Sequence, residues 1–351
     1  MKYLIIAFLV SLMLSYAFTH FKHKPLVDTR EGVQKFHQNP TPRIGGLAVF
    51  SACVVSGLFS TILGKPFGKE FLTLFAVSLP VFLAGFAEDI TKKVSPKIRL
   101  LSAFVSGILV VVFLSAGLKR IDVPILDELL KNSEMFSLFF TAFALAGMAN
   151  AMNIIDGFNG LAGGVSMIIF LSYAYVSFVL QDELLLYLSL IMASAIFGFL
   201  LLNFPFGKIF LGDGGSYFIG FLAGLEGVLL VNRHPEVSPW FVLMLLAYPV
   251  FETVFSIYRK KFLRGGSPFE PDAIHLHMLI YKRIIRRKYK RTHPVIRNSL
   301  TSPYLWGFQI MASIPALLFW RNTIPLVLSF LAFCFFYLWF YWRIVRFRLK
   351  M

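Results

Sequence analysis

Long apolar runs separated by short polar breaks make up most of the 351 positions. Eleven runs can be read, near residues 3 to 19, 44 to 64, 71 to 87, 98 to 117, 136 to 152, 160 to 180, 183 to 202, 216 to 232, 239 to 258, 304 to 320 and 324 to 342. They are too long and continuous for the alternation a membrane strand requires, so each is predicted to be helical. A hydrocarbon core about 30 Å thick asks for roughly 20 apolar residues per helix. The expected architecture is therefore all-α and polytopic, with eleven transmembrane helices (ten as the alternative) in a single domain over 1–351. Two connections exceed simple turns. Residues 118–135, LKRIDVPILDELLKNSEM, are expected to form a short hairpin or helix, and residues 259–303 to hold a small amphipathic element.

Composition agrees: 57% of residues are hydrophobic, 15% are charged and 40 are Phe, more than one soluble core needs. Cys53 and Cys334 fall inside apolar runs, so neither a disulfide framework nor a metal-thiolate site is indicated.

Charge sets the expected orientation. With the N-terminus outside, the outer side holds eight cations (Lys2, Lys65, Lys69, Lys119, Arg120, Lys131, Arg233, Arg321), and the other 26 of the 34 Lys and Arg lie inside. The outer side also carries eight acids, which places the whole +16 excess on the cytoplasmic face or buried. The first run, with Lys2 before it and Ser15-Tyr16-Ala17 near its end, loosely resembles a cleavable leader. Cleavage would leave the basic 20–43 segment outside and break the asymmetry, so the run is read as a helix that stays. A basic inner face is an ordinary topology signal, and no nucleic-acid partner is expected.

Sharper information lies at the inner helix ends. Five stretches fall on the expected cytoplasmic side: NPTPRIGGLAVF (39–50), AEDITKKVSPKIRLL (87–101), NIIDGFNGLAGG (153–164), FLGDGGSYFIG (210–220) and PFEPDAIHLHM (268–278). In the fourth, Asp213 sits among glycines just before a helix, where backbone amides attract anions and the carboxylate attracts a cation such as Mg²⁺. Its plainer reading is a helix cap. Glu88 and Asp89 are adjacent acids that repel unless a metal or the nearby Lys92, Lys93, Lys97 and Arg99 compensate. Arg43 follows a Pro-Thr-Pro turn and precedes two glycines. His275 and His277 have no nearby Cys to complete a zinc site, so phosphate contact suits them better. Glu226 lies mid-run and reads as an interhelical hydrogen-bonded contact, whereas Glu252, about 9 Å from an inner end, could touch the cleft.

These five motifs, in this order, resemble those of the polyprenyl-phosphate N-acetylhexosamine-1-phosphate transferases, the WecA- and MraY-like membrane enzymes. The matching positions are Phe210, Gly212, Asp213, Gly215 and Ser216; Asn153, Asp156 and Gly157; and Pro271, Asp272, His275 and His277. The resemblance implies ten or eleven helices around a cytoplasmic cleft in a bacterial inner membrane, Mg²⁺ or Mn²⁺ dependence, a UDP-N-acetylhexosamine donor and an undecaprenyl phosphate acceptor. It leaves a homodimer open. On that basis Asp89 would position the acceptor phosphate or take its residual proton, with Glu88 as its partner in the catalytic pair. Asp213 and Asn153 would hold the cation, and Arg99, His275, His277, Lys97 and Arg43 would hold phosphate oxygens. Asn159 would lie near uracil, and Asp156 near the nucleotide or in loop structure. Three departures bear on the sugar more than on the reaction: Glu88 stands for the usual Asp, Asn159 for a second acid, and Met278 for a further histidine. The rivals are a phospho-MurNAc-pentapeptide transferase, which typically carries a three-histidine run, and a lipid flippase or transporter. A flippase would line a path with polar groups across the bilayer.

Overall fold

A computed structural model describes residues 2–20, 27–28, 40–263, 265 and 274–346. The apolar runs are helices: α1 (Lys2–Thr19), α2 (Gly45–Ile62), α3 (Gly68–Val77), α4 (Leu79–Thr91), α5 (Pro96–Leu114), α6 (Pro124–Asn132), α7 (Glu134–Ile155), α8 (Leu161–Val179), α9 (Glu183–Asn203), α10 (Gly212–Arg233), α11 (Pro239–Leu245) and α12 (Ala247–Tyr258), then α13 (Leu276–Ile280), α14 (Arg286–Lys288), α15 (Pro294–Ser299), α16 (Ser302–Leu318) and α17 (Thr323–Val345). One two-residue antiparallel pairing, β1 (Val27–Asp28) with β2 (Thr41–Pro42), precedes α2.

Among the described residues eight helices are long and apolar enough to cross a membrane, and two bent pairs bring the number to ten. The expectation of eleven counts α16 as well, which at 17 residues is shorter than any of the eight. Two runs read as single helices are broken. The run 71–87 bends by 51° between α3 and α4, and the run 239–258 by 73° between α11 and α12. Proline accounts for both, because it lacks the amide that the helix ladder needs. At the first bend, Pro80 stands in the first turn of α4 and the amide of Val81 turns to Ser106 Oγ at 3.1 Å. At the second, Pro249 cannot donate to the carbonyl of Leu245, and Gln309 Nε2 of α16 supplies that bond at 2.8 Å. In lipid, a freed backbone group must find such a partner.

α10 is the axis of the bundle. Its spanning window is fully buried, while only 22% of that of α5 and 17% of that of α17 is. Glycines let its neighbours close in: a Cβ on Gly220 would stand 2.6 Å from Met152 Cβ of α7. The 118–135 connection contains α6, as a helix rather than a hairpin. The 259–303 connection holds a π-helical turn (Arg259–Leu263), α13, a second π-helical turn (Tyr281–Ile285), α14 and α15. Pro271 and Asp272 of the fifth motif lie outside the described residues.

Candidate active site

The N-termini of α2 and α10 are locked side by side. Phe210 N donates to Pro42 O at 2.8 Å, Gly45 N to Phe210 O at 2.9 Å and Gly46 N to Leu211 O at 2.7 Å. Gly212 opens α10 at φ +78°, a left-handed conformation that side chains resist, and a Cβ there would sit 2.4 Å from Arg43 O. The glycine-rich turn thus brings Asp213 and Arg43 to one place.

Around Asp213 the polar groups converge. Its Oδ2 accepts from Arg99 Nη1 of α5, and its Oδ1 accepts from Asn153 Nδ2 of α7 at 2.9 Å and from Arg43 Nη2 at 3.3 Å. Asn153 Nδ2 also reaches Ser216 Oγ at 2.9 Å. Asp89 is buried at the end of α4; Arg43 Nη2 stands 3.5 Å from its Oδ1. Two carboxylates and two guanidiniums balance in formal charge. The Arg99 guanidinium also lies over the Tyr217 ring, 5.6 Å from its centroid, a contact that no motif spacing revealed. Asp156, just past the end of α7, is partly buried; its carboxyl is pushed up to about 7, first by burial and then by Asp213 and Asp89, with Arg43 opposing.

The histidine motif arrives at the same end. A Cβ on Gly157 would stand 3.0 Å from His277 Nε2, and the His277 ring meets Phe158 edge-on at 5.6 Å. The His275 and His277 rings stack at 5.3 Å and both are buried. Four of the five motifs are therefore joined by direct contacts, and the histidine loop is laid against the third.

Other expected positions fall elsewhere. Glu88 Oε2 accepts from Val94 N at 2.7 Å and closes the turn after α4. Asn159, expected beside the base, is buried and structural. Its Nδ2 donates to Ser299 Oγ at 3.1 Å, its amide to Asn298 Oδ1 at 2.8 Å, and its carbonyl accepts from Ser302 Oγ at 2.6 Å. Asn203 braces the same loop through Gly160 N at 2.6 Å. Neither Asn298 nor Asn203 lies in a motif, and only the fold pairs them with it. Lys97 is exposed in the first turn of α5, at the mouth of an apolar cavity of about 740 Å³. Leu100, Phe104, Phe140, Val228, Leu246 and Ile257 line that cavity between α5, α7, α10 and the bent α11–α12 pair.

The donor set bears on a divalent cation. Among the described residues no group of three or more His, Cys, Asp or Glu could hold a metal by itself. Mg²⁺ is commonly held by one or two carboxylates together with substrate phosphates. Asp213 fits that habit: its oxygens meet side chains rather than backbone amides, and its side chain is 14% exposed. Those of Asp89 are taken by the amides of Asp213 and Gly214.

Comparison with known proteins agrees with this geometry. The pattern of glycosyl transferase family 4 matches residues 71–231, the stretch that carries Asp89, Asn153 and Asp213. The chain is 29% identical over 282 residues to a probable undecaprenyl-phosphate N-acetylglucosaminyl 1-phosphate transferase of Bacillus subtilis, covering 78% of this chain and 76% of that protein. It is 30% identical over 285 residues to the undecaprenyl-phosphate alpha-N-acetylglucosaminyl 1-phosphate transferase of Escherichia coli K12, covering 78% and 73%. To a phospho-N-acetylmuramoyl-pentapeptide-transferase of Lactobacillus gasseri it is 30% identical over 281 residues, covering 76% and 85%. Likeness of that extent makes the chain a member of glycosyl transferase family 4.

Proposed function

We propose that this protein transfers N-acetylhexosamine-1-phosphate from a UDP-sugar to undecaprenyl phosphate, releasing UMP, at the cytoplasmic face of a bacterial inner membrane. The observation that carries this reading is the convergence of Arg43, Arg99, Asn153 and Asp213 from four separate segments. Two phosphates must come within bonding distance. At an effective dielectric near 20, each unit-charge pair at 4 Å costs about 4 kcal/mol. Arg43 and Arg99, now paired with carboxylates, would offset that repulsion by exchanging onto phosphate oxygens. Lys97, at the cavity mouth, would receive the acceptor phosphate, with the polyprenyl chain along the apolar walls. His275 and His277 would contact the donor side.

Asp213, with the side-chain carbonyl of Asn153, would hold Mg²⁺ (or Mn²⁺). Such an ion supplies charge neutralisation at the diphosphate and at the leaving UMP. The acceptor, a phosphomonoester whose second pKa is about 6, is largely ionised near neutral pH. A strong general base is therefore not required, and direct attack of an acceptor oxygen on the β-phosphorus is favoured: the new P–O bond forms as the bond to UMP breaks. Asp89 supports this choice, because amides of α10 occupy both its oxygens and make it a poor nucleophile. The pentapeptide donor is a second reading, resting on the Lactobacillus gasseri match. Met278, where a further histidine would stand, speaks for the hexosamine donors.

The test is transfer by purified protein from a panel of UDP-N-acetylhexosamines and UDP-MurNAc-pentapeptide to undecaprenyl phosphate, with the lipid product identified by mass. A lipid-diphosphate-hexosamine is expected. A product formed only from the pentapeptide donor would reassign the substrate, and no lipid product from any donor would end the proposal.

A further inference from the structure

Glu252 is a buried carboxylate that the chemistry above leaves without a task. It lies on α12, beyond the 73° bend, with none of its surface exposed. Burying a carboxylate without partners is costly, and more so within a membrane helix. Its partners come from two distant parts of the chain. Oε1 accepts from His275 Nδ1 at 2.9 Å and from the backbone amide of Leu276 at 3.2 Å, while Oε2 accepts from the Tyr337 hydroxyl of α17 at 2.5 Å. Tyr341, one turn along α17, donates to the carbonyl of Ile274 at 3.1 Å. The Arg259 guanidinium stands over the Phe255 and Tyr341 rings, at 5.4 and 5.3 Å from their centroids. The residues on either side of His275 are thus gripped by α12 and α17, and the imidazole itself is held through one nitrogen.

An imidazole bonded at Nδ1 to a carboxylate has its proton placed there, its ring plane set, and Nε2 left as the one polar atom of the ring that can serve a ligand. His277 stacks on the same ring at an interplanar angle of 6°, which restricts its rotation further. We propose that Glu252 is the positioning residue of His275: with Tyr337 locking its second oxygen, it fixes the tautomer and orientation in which His275 Nε2 meets a phosphate oxygen of the substrates. The inference rests on the transferase reading for what Nε2 touches, but the Glu252–His275 geometry stands without it.

A double-mutant cycle tests it. His275→Asn is expected to lower kcat/KM about 100-fold. Glu252→Gln preserves side-chain volume and one acceptor oxygen, and is expected to lower it about tenfold with an unchanged elution profile in detergent. If Glu252 acts through His275, the double variant falls no further than His275→Asn alone. Losses that multiply to about 1000-fold, or a fully active Glu252→Gln, would overturn the proposal. A second readout does not depend on turnover. In protein carrying ¹⁵N-labelled histidine, the Nδ1 proton of His275, assigned by its loss in His275→Asn, should be present in wild type and in Glu252→Gln and absent in Glu252→Ala. If wild type transfers no sugar-phosphate, the transferase reading fails and this signal still decides whether Glu252 positions His275. An Nδ1 proton that persists in Glu252→Ala contradicts it.

Discussion

Asp89 of α4 caps α10 from across the bundle: its Oδ1 accepts from the amide of Asp213 at 2.8 Å and its Oδ2 from the amide of Gly214 at 2.9 Å. The first amides of a helix have no partner within it, and a carboxylate there gains from both hydrogen bonds and the helix dipole. Asp89 therefore sets where Asp213 stands. Removing both acceptors in Asp89→Ala should cost about 1 to 2 kcal/mol and lower turnover, whereas Asp89→Asn keeps one acceptor and should fall between. Thermal unfolding in detergent checks this, and an unshifted midpoint in Asp89→Ala would contradict the cap.

Gly212 gives a second prediction. Its φ of +78° and the 2.4 Å approach of Arg43 O to a would-be Cβ leave no room for a side chain. Gly212→Ala should destabilise by about 1 to 3 kcal/mol and reduce activity, because either the α2–α10 junction or the Asp213 turn must open. Wild-type stability and activity in this variant would show that the junction tolerates the methyl group.

The pH dependence follows from Asp156, whose carboxyl is pushed up to about 7 by burial and by Asp213. A folded-state value above the unfolded one means that the protonated side chain favours the fold. That contribution is complete below the unfolded value near 4 and is lost as pH rises through about 7. Asp156→Asn, which stays neutral, should thus gain stability relative to wild type between pH 4 and 7 and hold that gain above it. Thermal midpoints of both proteins across this range decide it, and a constant difference would remove Asp156 from the titration.

Glu226 is the contrast. It is fully buried in mid-helix, with Ser189 Oγ as its hydrogen-bond partner on α9, far along α10 from Asp213. Glu226→Gln keeps the shape and the hydrogen-bonding capacity, and should leave turnover unchanged, while Asp213→Asn should lower it by about 100-fold or more. Assays of UMP release on both variants would relocate the site if the order were reversed.

What could be read in advance, and what could not, divides along the range of the interactions. Asp213, Asn153, Arg99 and Arg43 were legible because polar residues are expensive at the ends of apolar runs, and the four stretches that hold them interrupt those runs. The bends near Pro80 and Pro249 depart from the expected single helices, although both prolines stand in the sequence. An apolar run with no polar face, however, carries no periodicity from which a break or a helix rotation can be read. The cap of α10 by Asp89 spans 124 positions and the Asn159–Asn298 contact 139. No local pattern encodes either pairing, so the bracing of Asn159 by Asn298 leaves no signal in the sequence. Gln309 meeting the carbonyl freed by Pro249 was hidden for the same reason.

The most direct measurement is UMP release from UDP-N-acetylglucosamine by metal-stripped protein, with undecaprenyl phosphate and Mg²⁺ added separately and together. UMP is expected only when both are present, with release from Asp213→Asn lower by about 100-fold or more. UMP formed without the acceptor would contradict direct attack, and full release in the presence of excess EDTA would contradict a cation held at Asp213.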